Sequence, residues 1–137
     1  TALTEFLDLY PTLCDLAGLP IPAHVEGKSL VPFLRGDDVH LHEAAITQMV
    51  RRSGKNATMG WSIRTRRYRY LEWRNANLSN NKPVFGKEPI AVELYDYGTD
   101  PLERDNLAGR LEYASVLKTQ QQLFDKLLPH LPRAQRP

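Results

Sequence analysis

Few side chains in this 137-residue chain stand where chemistry is done. Cys14 is the single cysteine, so neither an internal disulfide nor a multi-cysteine metal site can form. A covalent nucleophile needs an activating base within hydrogen-bond reach. Cys14 instead falls on the apolar side of a predicted helix, where a neutral buried thiol is expected. His40 and His42 alternate and would share a face of an extended segment, so both could ligate a metal. No third ligand lies nearby, and solvated loop histidines are the expectation. Asp37-Asp38 has the oxygen density of a cation site, but after Gly36 it is expected to be turn chemistry. No metal site is therefore expected in this chain. Asn56-Ala57-Thr58 and Asn77-Leu78-Ser79 are glycosylation sequons only in a host that secretes through a glycosylating pathway.

The arginines are more informative. Arg64, Arg66, Arg67 and Arg69 interleave with Tyr68 and Tyr70. If Ile63 pairs with Tyr70 across a hairpin, Arg64 faces Arg69 on one side of the sheet. Like charges opposite each other are destabilising, so that face needs acids or an anion. Asp96, Asp100 and Glu103 follow the next predicted strand and are natural partners. A structural cluster of Arg64, Arg69, Asp96 and Asp100 is the expectation, with Arg64 partly buried and bidentate. The alternative is that these guanidinium groups face an anionic ligand.

The elements that must hold these residues follow from periodicity. Leu9, Leu13, Leu16 and Ala17 form one apolar stripe of a helix over 7–17. Asp8 is its predicted N-cap, Pro11 suits its first turn, and Gly18 its C-cap, with Pro20 and Pro22 barring continuation. A loop to Gly27 leads to a helical turn over 29–34, ended by Gly36-Asp37-Asp38. Strands are predicted over 44–50, 59–65, 68–73 and 90–96, with a long polar connection over 74–89. Arg66-Arg67 is poor for a primed turn, so a four- or five-residue loop around a type I turn is expected. A second helix over 111–128 carries Leu111, Ala114, Leu117, Phe124 and Leu128 on one stripe and stops at Pro129. The order argues α+β: a small four-stranded antiparallel sheet packed against one long C-terminal helix, with an N-terminal helix. Residues 1–132 form one subdomain and 133–137 a polar tail.

Three segments together carry a resemblance. Asp8-Leu9-Tyr10-Pro11-Thr12-Leu13-Cys14-Asp15-Leu16-Ala17-Gly18-Leu19, with Glu26-Gly27-Lys28-Ser29-Leu30-Val31-Pro32-Phe33-Leu34, resembles the opening of the C-terminal part of formylglycine-dependent sulfatases. Ser62-Ile63-Arg64-Thr65 with Tyr68-Arg69-Tyr70 resembles their closing hairpin. Glu93-Leu94-Tyr95-Asp96 with Asp100-Pro101-Leu102-Glu103 and Asn106-Leu107 resembles their last strand and turn. Within the family, Thr47-Gln48-Met49-Val50-Arg51 and 59–73 look most like the iduronate-2-sulfatase branch, where the first segment is typically Ser-Gln-aromatic-Pro-Arg; Thr47, Met49 and Val50 depart from it.

The resemblance implies the C-terminal part of an alkaline-phosphatase-like sulfatase fold, in an enzyme that hydrolyses sulfate esters of glycans. It implies a formylglycine, made from the Cys or Ser of a Cys/Ser-x-Pro-x-Arg motif, beside a Ca²⁺. Cys14 is followed by Asp15-Leu16-Ala17-Gly18 and is not that residue. The catalytic centre is thus expected on an N-terminal catalytic part, and this chain alone is expected to be inactive. Gln48 and Arg51 are the expected substrate-binding residues, entering a 51–57 loop at the pocket rim. The paired N–H donors of Arg51 suit a uronate carboxylate or a neighbouring sulfate. The implied partners are the catalytic part and a sulfated saccharide, and the implied location is exported: periplasmic, secreted or lysosomal. An apolar patch or self-association of the isolated chain is expected, since the first helix's stripe would otherwise pack on that catalytic part.

Composition bounds the alternatives. With 42% hydrophobic and 25% charged residues the chain is an ordinary globular sequence. Eighteen Lys+Arg against 16 Asp+Glu leave +2, too near balance to imply nucleic acid or an anionic membrane. Two other functions are weighed against the sulfatase reading. One is a stand-alone anionic-glycan module using Arg51, Arg52, Lys55, Arg66 and Arg67. The other is a nucleic-acid binder using the Arg/Tyr interleaving, which is also the pattern of a half-buried strand pair.

Overall fold

The computed structural model describes residues 2–53, 56–77 and 84–131. The chain forms two compact units, residues 1–45 and 46–137. The polar tail over 133–137, Lys55 and the Leu78-Ser79 part of the second sequon lie outside the described residues.

In the first unit a 3₁₀ turn, Phe6–Asp8, runs into helix α1, Leu9–Leu16. Gly18 ends it at φ +67, with its N–H donating to the Asp15 carbonyl (3.1 Å) and the Leu19 N–H to that of Cys14 (2.9 Å). This paired closure needs a left-handed residue, which is why glycine stands there. Helix α2, Val31–Leu34, closes in the same way at Gly36.

Asp8 stands at the N-cap position of α1 as expected, but its carboxylate makes no capping bond there. Its carboxylate is fully buried and accepts the N–H of Glu5 (2.8 Å) and of Lys28 (2.9 Å), with His42 Nε2 at 2.9 and 3.0 Å. Gly27 makes this possible, because a Cβ there would fall on the Leu7 carbonyl. His42 is therefore a half-sequestered partner of Asp8 and not a solvated loop histidine, while His40 is exposed. The Thr12 hydroxyl donates to the Asp8 carbonyl (2.5 Å) and accepts the Leu30 N–H (2.8 Å). The buried face of α1 is thus Pro11, Thr12 and Cys14. The predicted apolar stripe is surface: Leu9, Leu13 and Leu16 are 50–65% exposed and Phe6 is 92% exposed.

The second unit is built on a sheet of five strands: β1 (Ala45–Ser53), β2 (Asn56–Arg64), β3 (Tyr68–Asn77), β4 (Val84–Phe85) and β5 (Ala91–Asp96). The order runs β1-β2-β3, and the far edge of β3 is shared, β5 along 68–73 and β4 along 76–77. The sheet has one strand more than predicted, because the 74–89 connection pairs Val84 and Phe85 with the end of β3. The β2–β3 register sets Ile63 against Tyr70 and Arg64 against Arg69. Neither Arg66 nor Arg67 takes a positive φ, and Thr65 closes the turn: its N–H donates to the Tyr68 carbonyl (2.8 Å) and its hydroxyl accepts the Tyr68 N–H (3.0 Å).

The face of this sheet that meets α3 carries most of the core. Trp61, Ile63, Tyr70 and Leu94 are buried there with Phe124 from helix α3, Ala114–Leu127. The Phe124 ring meets Tyr70 edge-on at 5.4 Å, and Trp61 meets Phe85 at 4.7 Å. Each such fully buried side chain contributes about 1.5–3 kcal/mol. Leu111 and Ala114 are exposed, contrary to the predicted stripe, because Leu111–Tyr113 is a 3₁₀ turn that shifts the helical phase. Among the core residues lies a fully buried ion pair. Arg74 donates through Nε and Nη2 to Glu72 Oε2 (3.1 and 2.6 Å) and through Nη1 to the Gly86 and Lys87 carbonyls, while Glu72 Oε1 accepts the Tyr70 hydroxyl (2.6 Å).

Candidate functional site

The other face of the sheet carries arginines and tyrosines beside the buried Ser62, Leu71 and Trp73, and strand register decides its composition. Arg64 pairs with Arg69, and Arg69 with Tyr95, so these three side chains share it. The Arg64 guanidinium stacks on the Tyr97 ring, 3.0 Å from its centroid. Arg69 pairs with Glu103 and lies 5.3 Å from the Tyr95 ring. Tyr97 donates its hydroxyl to Glu103 as well. Stacking on phenol rings and a shared carboxylate thus hold two facing cations together. Arg64 Nη1 and Arg69 Nε are buried without a hydrogen-bond partner among the described residues.

The acids divide differently from the expectation. Asp96 pairs with Tyr68, which puts its side chain on the face opposite Arg64 and Arg69. There it accepts a bidentate bond from Arg67, Nε to Oδ1 and Nη2 to Oδ2, both at 2.8 Å. Asp100 is a turn-former. Its carboxylate accepts the N–H groups of Leu102 (3.3 Å), Arg104 (2.5 Å) and Asp105 (3.0 Å). That turn holds Glu103 at φ +54, a left-handed conformation costing a non-glycine residue about 1–2 kcal/mol. In this conformation Glu103 reaches Arg69 and Tyr97. Of the four residues in the expected cluster, the structure brings Arg64 and Arg69 together and places Asp96 and Asp100 elsewhere; Glu103 is the acid that serves.

Arg51 lies within β1 and not in a 51–57 loop, because β1 and β2 extend to Ser53 and from Asn56. Its Cζ sits 4.0 Å from the Trp73 ring centroid. Trp73 stands on β3 opposite Gly60 on β2, and a Cβ on Gly60 would meet the indole at 2.9–3.1 Å. The missing side chain lets Trp73 lie flat over β2 and reach Arg51 on the next strand. Trp73 Nε1 donates to Glu93 Oε1 (2.8 Å), whose Oε2 accepts the Tyr95 hydroxyl (2.9 Å). Arg51 is exposed, and among the described residues no carboxylate pairs with it. Gln48 is also exposed on β1, three residues away, so in a regular strand it points to the other face.

The titratable groups agree with this division. Burial first, then the Glu93 hydrogen bond, push the Tyr95 phenol up to about 12. Burial and then Glu103 raise Tyr97. Both phenols therefore stay protonated donors at neutral pH. The Arg67 hydrogen bond holds Asp96 below the ordinary carboxylate range. Burial works to raise Asp8, but the amides of Lys28 and Glu5, with His42, outweigh it and leave Asp8 low.

Other singled-out residues belong to the first unit. Cys14 is buried, and Asp37 and Asp38 are exposed after the Gly36 closure. Among the described residues no group of three or more His, Cys, Asp or Glu is placed to hold a metal, and no helix is long and apolar enough to cross a membrane. Arg67, one of the cations of the glycan-module alternative, is neutralised by Asp96. Of the interleaved residues, Arg64, Arg67 and Arg69 are engaged by Tyr97, Asp96 and Glu103, and Tyr70 by Phe124 of α3. Sequence reasoning missed Gly60, Trp73 and Glu93 as a unit. The signal was present: the register that sets Ile63 against Tyr70 sets Gly60 against Trp73, and a glycine inside a strand marks a close approach.

Residues 1–129 match the family described as N-sulphoglucosamine sulphohydrolase, C-terminal. The Delta 4,5-hexuronate-2-O-sulfatase of Bacteroides thetaiotaomicron is 36% identical over 120 residues, which cover 87% of this chain and 22% of that protein. A solved 2-O GAG sulfatase superposes with a TM-score of 0.69 at 35% identity, covering 90% of this chain and 24% of its own. The phosphonate monoester hydrolase of Agrobacterium radiobacter superposes with a TM-score of 0.63 at 26% identity, with the same coverages. The chain therefore spans under a quarter of the length of these relatives. The motif order, the sheet with its C-terminal helix and the match over 1–129 converge: the chain belongs to the N-sulphoglucosamine sulphohydrolase C-terminal family, the C-terminal domain of sulfatases.

Proposed function

We propose that this chain completes a sulfatase that removes 2-O-sulfate from hexuronate residues of sulfated glycans, nearest the iduronate-2-sulfatase type. In this reading the formylglycine and Ca²⁺ belong to an N-terminal catalytic part. Among the described residues no group of three or more His, Cys, Asp or Glu is placed to hold that metal, and in this reading bond breaking belongs to the catalytic part. Its sheet and α3 brace the fold, and the cluster of Arg64, Arg69 and Glu103 is structural, while Asp96 and Asp100 lock the turns around it. Arg51 on one face of the edge strand β1 and Gln48 on the other lie at the pocket rim, where Arg51 receives the uronate carboxylate or a neighbouring sulfate. The exposed leucines of α1 dock on the catalytic part, and the whole enzyme is exported to periplasm, exterior or lysosome.

The observation that carries this reading is the exposed, acid-free guanidinium of Arg51 in a chain 36% identical to a hexuronate-2-O-sulfatase. The family's fold alone does not choose the ester, since a phosphonate monoester hydrolase shares it. The test is sulfate release by the polypeptide carrying both parts. An unsaturated hexuronate-2-O-sulfate disaccharide is turned over in preference to N-acetylglucosamine-6-sulfate and to a phosphonate monoester. Arg51→Ala raises KM for it about 10- to 100-fold, the loss of a charge-assisted bond. Preference for either of the other esters, or an unchanged KM in Arg51→Ala, refutes the reading.

A further inference from the structure

We infer that Trp73, seated on Gly60, is a positioning residue that fixes Arg51 for the acidic group of the saccharide. This rests on the substrate role proposed for Arg51 and adds the means by which the site is preformed. Three facts carry it. The Arg51 guanidinium lies over the indole at 4.0 Å, although Arg51 stands on β1 and Trp73 on β3, with β2 between them. Only the absence of a side chain at Gly60 lets the ring cross β2. The ring is locked from its far side, because Nε1 donates to Glu93 at 2.8 Å and Glu93 is itself held by Tyr95 at 2.9 Å.

The chemistry follows from these contacts. An arginine on an exposed strand samples many rotamers, and ordering it on binding weakens affinity. The indole under Cζ holds the guanidinium without a carboxylate, and among the described residues no acid takes its N–H donors, which stay available to a carboxylate or sulfate. A carboxylate partner would have consumed those donors. Glu93 is kept from that role by its bonds to Trp73 and Tyr95. The result is a pre-aimed cation with its donors open, and Trp73 acts through it without touching substrate.

The experiment uses the two-part enzyme and the unsaturated hexuronate-2-O-sulfate disaccharide. Trp73→Leu raises KM about 3- to 10-fold, the range expected for re-ordering one long side chain. The turnover number holds, which is the pattern of lost uniform binding. Trp73→Phe keeps a ring and recovers most of the affinity. Gly60→Ala leaves the indole intact but displaces it, and raises KM in the same direction, so the inference stays testable if Trp73→Leu folds poorly. The double variant Arg51→Ala with Trp73→Leu is no weaker than Arg51→Ala alone. If Arg51→Ala weakens binding while Trp73→Leu and Gly60→Ala do not, or if the double variant shows the full sum, the positioning role is overturned and the substrate role of Arg51 stands. An unchanged KM in Arg51→Ala sinks the substrate role first, and this inference with it.

Discussion

Replacing Arg74 by methionine tests the most concentrated electrostatic feature of the fold. Arg74 and Glu72 are both wholly buried, two residues apart on β3 and therefore on the same face. Arg74→Met removes the two bonds to Glu72 Oε2 and leaves a buried carboxylate that still accepts the Tyr70 hydroxyl but has lost its guanidinium. Stranding one partner of a buried pair costs about 3–5 kcal/mol. The Gly86 and Lys87 carbonyls lose a donor too, but Lys87 is exposed and Gly86 only partly covered, so water limits that cost. For a unit of this size a destabilisation of 1 kcal/mol lowers Tm by about 4–8 °C, so a fall of about 12–40 °C is expected. Adding Glu72→Met removes the remaining buried charge. The Tyr70 hydroxyl then loses its 2.6 Å acceptor, at about 1–3 kcal/mol, but the double variant still recovers part of the loss. Urea unfolding of the 137-residue chain followed by circular dichroism reads both effects, provided the slope with denaturant is unchanged. A loss under about 1 kcal/mol in Arg74→Met, or a double variant as unstable as the sum of the singles, refutes the reasoning.

Three further outcomes follow from the same contacts. Asp8 and Asp96 titrate below their ordinary range in the fold, so their stabilisation is fully present above pH 4 and is lost as pH falls through the lowered values; urea midpoints measured from pH 7 to 2 fall in that lower window, and Asp8→Asn and Asp96→Asn flatten the decline. Gly27→Ala drives a Cβ into the Leu7 carbonyl, which pulls the Lys28 amide off Asp8 and costs about 1–3 kcal/mol, read as a lower thermal midpoint. Leu13→Glu, at a 65% exposed position of α1, leaves stability within about 0.5 kcal/mol of the parent and reduces self-association in sedimentation; a large loss of stability places Leu13 in the core instead.

Much of the architecture was legible because it is coded locally. Gly18 and Gly36 announce helix ends through backbone freedom that no other residue has. The hairpin register came from matching apolar positions across Arg66-Arg67, and it carried the facing of Arg64 and Arg69 with it. The extra strand β4 was not legible, since two residues hold no periodicity. The helical phase before α3 was lost because a 3₁₀ turn and an α-helix present the same apolar spacing.

The chain's own residue order was enough to place the main helices and strands, the glycine closures of α1 and α2, and the family resemblance. Which acid meets which arginine depended on three dimensions. The pleat sends Asp96 to the face away from Arg69, and the left-handed Glu103 brings a carboxylate there instead. Likewise the leucines of α1 look like core in one dimension. In the fold the polar side of that helix is buried, because Asp8 and Thr12 collect backbone amides from the Gly27–Leu30 loop. Local periodicity records which side chains share a face, whereas a partner twenty or thirty residues away is selected by register, backbone approach and the need to satisfy every buried donor and acceptor.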